Sequence, residues 1–221
     1  MTTSSPPIAA PIGEVRTPLS RRRVVEAALR YIDQNGVGAL SMHKLGAALD
    51  VRGMSLYNHV GNKDDLLDGV VETLWEEVEA TAPVHRDWRE GLRSFTYAVR
   101  DMVRRHPNAA SLTFSQRVMP QAALRVVQTH VAALVEAGFG EARAYDVLRT
   151  FTSYVLGSAL AEVTWDFGPG GCAPVVRDLL PPGTPEDLAG VADVFCGQSD
   201  PDAQFALGLD LMLAGLDEVG A

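Results

Sequence analysis

Residues 53–63 gather a hydroxyl, a phenol, an amide, an imidazole and an ammonium group: Ser55, Tyr57, Asn58, His59 and Lys63. These types in this order make neither a nucleophile–base pair nor a metal cage. They are hydrogen-bonding groups suited to the base edges and phosphates of double-stranded DNA. An asparagine can pair bidentately with adenine, a serine can bond to either partner type, and a methionine can lie against a thymine methyl. Gly53, Met54, Ser55 and Asn58 are therefore the candidates for base edges, with Arg52 just before them. Tyr57 and Lys63 add a phenol and an ammonium group beside them. His59 suits either a phosphate or a place between helices.

Presenting these groups requires a protruding helix. Leu56 and Val60 are four apart and share one helical face, and Leu45, Ala48 and Leu49 share a face of the preceding segment. The spacing predicts two short helices joined by a tight turn at Asp50-Val51-Arg52-Gly53. Packed at a steep angle, the second can enter the major groove. Ser41 caps the first, whose opening residues Met42, His43 and Lys44 would approach the DNA backbone. Ser20 caps an earlier helix, Arg21–Asn35, from which Arg21, Arg22 and Arg23 can add phosphate contacts. Gly36 ends that helix with a left-handed residue. Gly61 then stops the recognition helix, and Asn62 caps a long one reaching about residue 80, with Asp64 and Asp65 in its first turn where the helix dipole favours negative charge.

Further helices are expected at Trp88–Arg105, 109–114, 120–137, 141–167, 185–195 and 202–218, with a Gly/Pro-rich connection over 168–187. Strand-like alternation is nowhere sustained, so the fold is all-α. The expected division is a tail (1–19), a three-helix DNA-binding domain with a helix-turn-helix (20–66), and a larger helical domain for ligand binding and dimerisation (67–221). The net charge of −9 conceals a split. Residues 1–65 hold eight Lys/Arg against six Asp/Glu, whereas residues 66–221 hold eleven against twenty-two. A small basic end on an acidic body suits a partner that is a polyanion. The tail is rich in Thr, Ser and Pro and lacks the apolar core of a secretory signal, and no segment is apolar enough to span a membrane; a cytoplasmic location is expected. Cys172 and Cys196 lack metal-ligand spacing and read as reduced thiols. No metal or cofactor is expected.

The run Leu56-Tyr57-Asn58-His59-Val60-Gly61-Asn62-Lys63-Asp64-Asp65-Leu66-Leu67, behind Ser20-Arg21-Arg22-Arg23-Val24-Val25-Glu26-Ala27-Ala28 and Leu40-Ser41-Met42-His43-Lys44-Leu45, resembles the TetR family of bacterial transcription regulators. The remaining residues resemble more loosely the branch with a tetracycline-repressor-like C-terminal domain. The resemblance implies phosphate contacts for Tyr57 and Lys63, an inverted-repeat operator bound by a homodimer, and a small-molecule effector. Many members start the recognition helix with Ser-Pro, whereas Arg52-Gly53 stands here. Glu79 and Thr113 occupy two positions at which the tetracycline repressors use histidine, which argues against a drug–magnesium ligand.

Apolar residues of the larger domain, among them Phe95, Val99, Met102, Phe114, Leu124, Phe151 and Tyr154, are read as an interior that can line an effector pocket. Met119 and Trp165 belong to the same set. Val147, Leu148, Phe151 and Val155 with Phe205, Leu209, Met212 and Leu216 are the apolar faces expected to build a two-fold four-helix interface. The competing reading is a helical small-molecule-binding protein or enzyme with a vestigial helix-turn-helix. No Gly-x-Ser-x-Gly, phosphate-binding loop or His-Glu-x-x-His supports catalysis.

Overall fold

The computed structural model describes residues 18–83, 85–115, 119–164, 176–197 and 200–219. Eleven α-helices and two 3₁₀ turns account for its regular structure, with no strand among the described residues. They are α1 (Arg21–Asn35), α2 (Met42–Ala48), α3 (Gly53–Leu56), α4 (Lys63–Thr81), α5 (Trp88–Arg105), α6 (Pro107–Ala110), α7 (Leu112–Ser115), α8 (Gln121–Glu136), α9 (Glu141–Thr164), α10 (Glu186–Gly197) and α11 (Pro201–Val219).

The starts follow from capping side chains. Ser20, Ser41 and Asn62 accept from the backbone N–H of Arg23, Lys44 and Asp65, satisfying donors that the first helical turn leaves open. Gly36 ends α1 at φ +79°, a conformation that a side chain would oppose. Val24, Ala28 and Ile32 of α1 are fully buried, as are Leu45, Leu56, Leu66, Val70 and Leu74. These residues form one apolar core that joins α1–α3 to α4 and continues into the larger domain. Each buried side chain of this size contributes about 1.5–3 kcal/mol.

α4 runs unbroken across residue 66 and packs on α1, α5 and α8, so one helix serves both units. In the larger unit α5 lies against α9 and α8, and α11 closes on α9. Phe95, Val99, Met102, Phe151 and Val155 fill the centre.

Several expectations change. The helix expected at 109–114 is two single turns, interrupted at Ser111. Within 168–187, residues Val176–Leu179 make a 3₁₀ turn whose Arg177 pairs with Glu186 and Asp193; residues 165–175, with Trp165 and Cys172, lie outside the described residues. Val147, Leu148, Phe151, Val155, Phe205 and Leu209 are buried within the single chain rather than presented to a partner. Their stripe packs α9 and α11 against the rest of the subunit.

Candidate nucleic-acid interface

The α2–α3 joint is built from backbone. A Cβ added to Gly46 would lie 2.8–2.9 Å from the N and Cα of Gly53 and the O of Val51. Gly53 in turn faces the Met42 carbonyl, 3.1 Å from where its Cβ would stand. The left-handed turn residue between the helices is Asp50, at φ +53°, a conformation that aspartate tolerates better than most residues. Gly53 thus serves close helix approach rather than the turn. Arg52 sits at the N-cap with extended backbone and gives no side-chain cap. After one α turn the chain tightens, with the N–H of His59 on the Leu56 carbonyl at 2.9 Å and that of Val60 on the same carbonyl at 3.1 Å.

Leu56 and Val60 anchor this segment in the core and leave the other face outward. Met54 is 76% exposed and Tyr57 45%, and Asn58 is also exposed. Ser55 and His59 are half-buried. On α2, His43 and Lys44 are exposed, whereas Met42 packs against the core. Lys44 donates to the Ala39 carbonyl at 3.2 Å, and Lys63 to the Leu40 carbonyl at 2.9 Å. Both ammonium groups are therefore moored beside α2. Arg22 pairs with Glu26 at 2.7 Å on an exposed face.

Sequence reasoning did not foresee the brace behind this surface. Arg21 donates to both carboxylate oxygens of Asp65, at 2.9 and 2.6 Å, and to the His59 carbonyl at 3.4 Å. Asp65 also accepts the Gly61 N–H at 2.7 Å. The Arg21 guanidinium and that backbone donor hold the Asp65 carboxyl down at about 2. One carboxylate thus ties α1, the end of the recognition segment and the start of α4. Arg21 consequently acts behind the helix-turn-helix rather than toward a phosphate.

A short helix on a backbone-packed joint, with Met, Tyr and Asn exposed along and just after it, is the geometry of a major-groove reader. Residues 24–70 match the family described as bacterial regulatory proteins of the tetR family, and residues 82–219 match the tetracyclin repressor-like C-terminal domain. The chain belongs to the TetR family. It is 35% identical over 147 residues to an HTH-type transcriptional regulator of Saccharopolyspora erythraea, a match spanning 66% of this chain and 62% of that protein. It is 29% identical over 203 residues to the tetracycline repressor protein class A from transposon 1721 of Escherichia coli, covering 90% and 91% of the two chains. The crystal structure of Streptomyces coelicolor ActR in complex with actinorhodin superposes with a TM-score of 0.75 at 28% identity, over 93% of this chain and 100% of that one. The protein is accordingly a DNA-binding transcriptional regulator.

In the larger domain of this TetR-family regulator the expected pocket residues divide. Phe95, Val99, Met102 and Phe151 are buried together. Phe114 and Leu124 are 56% and 50% exposed, and Met119 is exposed as well, so these three are not interior. Phe114 sits on the one-turn α7, too short to bury it, and Leu124 lies on the outer face of α8. Tyr154 stacks on Phe205 and donates to its carbonyl at 2.7 Å, which commits its hydroxyl to the α9–α11 contact.

Among polar groups, His130 is buried beside Phe95, ring centroids 5.1 Å apart. Its Nδ1 bonds to the Val126 carbonyl at 2.8 Å, and its Nε2 has no hydrogen-bond partner. Burial pushes the imidazole below its ordinary value, and with Nδ1–H donating to a carbonyl the free Nε2 is an acceptor. At the two positions that differ from the tetracycline repressors, Glu79 forms a fork with Arg125 at 2.7 and 2.8 Å, and Thr113 donates to the Ala110 carbonyl. Among the described residues no group of His, Cys, Asp and Glu is arranged to hold a metal.

Proposed function

We propose that this regulator is a cytoplasmic repressor, not an enzyme, that binds an inverted-repeat operator as a homodimer and is released by a small-molecule effector. The observation that carries the reading is the outward face of α3 and the turn after it, where Met54, Tyr57 and Asn58 stand exposed on an anchored segment. Arg52, Gly53, Met54, Ser55 and Asn58 meet base edges. Tyr57 and Lys63 hold flanking phosphates, joined by Arg22, His43, Lys44 and His59, and Met42 packs beneath them. Two such units read half-sites about 34–36 Å apart.

Dimerisation is supported by apolar surface with no cover in the single chain. Leu207 and Leu211 project from α11, and Leu188, Val191, Val194 and Phe195 from α10, with Phe195 82% exposed. Effector binding is supported by the orphaned acceptor of His130 beside Phe95, in a core that also holds Val99, Met102 and Phe151. A flat apolar molecule with a hydroxyl or N–H donor matches that lining. ActR, a TetR family protein seen in complex with actinorhodin, offers a precedent for a small-molecule ligand.

The test is selection of bound duplexes from a random pool, followed by gel shift at two salt concentrations. A recovered inverted repeat whose binding weakens steeply with salt is the expected result. Recovery of no preferred duplex would overturn the reading in favour of a vestigial helix-turn-helix. Asn58→Ala should relax preference at one base position at a cost of about 1–3 kcal/mol. Tyr57→Phe should weaken all operators alike.

A further inference from the structure

The corner between α5 and α6 is held to the DNA-binding unit by one histidine. His106 ends α5 and begins α6, with non-helical backbone at φ −126° and ψ 53°. Its Nδ1 lies 2.9 Å from Asp33 Oδ2, in the last turn of α1. Its Nε2 lies 3.3 Å from Glu77 Oε2 on α4. A neutral imidazole has one N–H and would turn a lone pair toward one of these carboxylates. Only the imidazolium donates to both. The other Asp33 oxygen, Oδ1, is buried without a hydrogen-bond partner, and Oδ2 faces the His106 ring.

A second tie is independent of charge. Asn108 donates to the Asp33 backbone carbonyl at 2.8 Å, and Ala109 and Ala110 of α6 are fully buried. These contacts keep the corner docked whatever the state of the ring. Other charges face the site. Arg105, on the histidine's own helix, pairs with Glu77. A groove of about 440 Å³ runs alongside, bordered by Glu26 and Arg30 of α1 and Glu76 of α4, and admits water to the ring.

We infer that His106 is a positioning residue for operator binding, its imidazolium clamping α1 to α4 so that the helix-turn-helix is held in its reading orientation. α5 carries Phe95, Val99 and Met102 along its length and His106 at its end, so the clamp joins the effector core to the DNA-binding unit. Removing the ring's donors releases both carboxylates and loosens α1, and operator affinity falls with it. The inference rests on the operator-binding reading proposed above.

The test uses the full chain as wild type, His106→Gln and Asp33→Asn. Affinity for a duplex recovered from the random pool is measured by gel shift. In parallel, amide hydrogen exchange is followed in the last turn of α1. Either variant should bind about tenfold more weakly than wild type. Exchange at the end of α1 should be faster in both variants than in wild type, with the rest of the fold unchanged. A His106→Gln variant equal to wild type in affinity or in exchange would overturn the proposal. If no duplex is recovered, operator binding fails while the exchange comparison still decides the clamp.

Discussion

Gly46 and Gly53 bear on the reading surface without touching a ligand. Their neighbours at 2.8–2.9 Å are backbone atoms, which cannot swing aside as a side-chain tip can. Gly46→Ala should therefore push α3 out of place, lowering stability by about 1–3 kcal/mol and abolishing specific binding. Gly38→Ala is the contrast, since nothing lies within 4 Å of its Cβ site and its φ is not positive. It should raise stability by up to about 1 kcal/mol. Thermal melts of the two variants and a gel shift check both outcomes. From sequence, Gly53 was legible as a break between helices but not as a packing surface. Glycines for turning and for approach look alike until the partner backbone, here α2, is in position. The polar run from Ser55 to Lys63 was legible because each residue type has its own recognition chemistry. That Lys63 is moored to Leu40, and that Met42 packs inward, depends on contacts no local spacing encodes.

At the scale of helices, caps and apolar periodicity were readable because both are local. Ser20, Ser41 and Asn62 mark starts within a residue of those observed. Ion pairs between helices were not readable. The Arg21–Asp65 brace spans 44 positions, and a buried group joins α5, α9 and α11: Arg100 donates to Glu162 at 3.1 and 2.9 Å and to the Pro201 carbonyl at 2.8 Å. Arg104 shares Glu162 and also reaches Asp202. With the Arg100 and Glu162 side chains only 3% and 6% exposed, removing one partner strands the other charge. Glu162→Ala should destabilise the fold by about 3–5 kcal/mol, read from denaturant unfolding. The Asp65 brace has a pH signature. Because its carboxyl is depressed from 3.8 to about 2, its contribution is complete above about pH 4 and disappears as pH falls through 2. Acid titration of wild type against Asp65→Asn should show wild type losing its advantage in that interval, and the variant should be the less stable at neutral pH.

For the whole molecule, the apolar face left on α11 predicts that association and DNA binding fail together. Leu211→Asp places a charge where Leu207 and Leu211 now stand exposed. It should yield a monomer in sedimentation and weaken operator binding roughly 10²–10⁴-fold, because the second half-site no longer binds intramolecularly. A dimeric Leu211→Asp would move the interface elsewhere. The faces of α9 and α11 that sequence assigned to the partner turned out to face their own subunit. Helical periodicity reports an apolar stripe but not which neighbour fills it. The joint between α2 and α3 carries a different consequence, for divergence between relatives. Its closest contacts are glycine and peptide backbone, and the segment is moored by Leu56 and Val60 and by the Arg21–Asp65 brace at its end. Met54, Tyr57 and Asn58 are thereby free of structural duty. Successive substitutions there can retarget the protein to a new DNA sequence while the scaffold beneath stays unchanged, so regulators of one architecture can diverge in address before they diverge in shape.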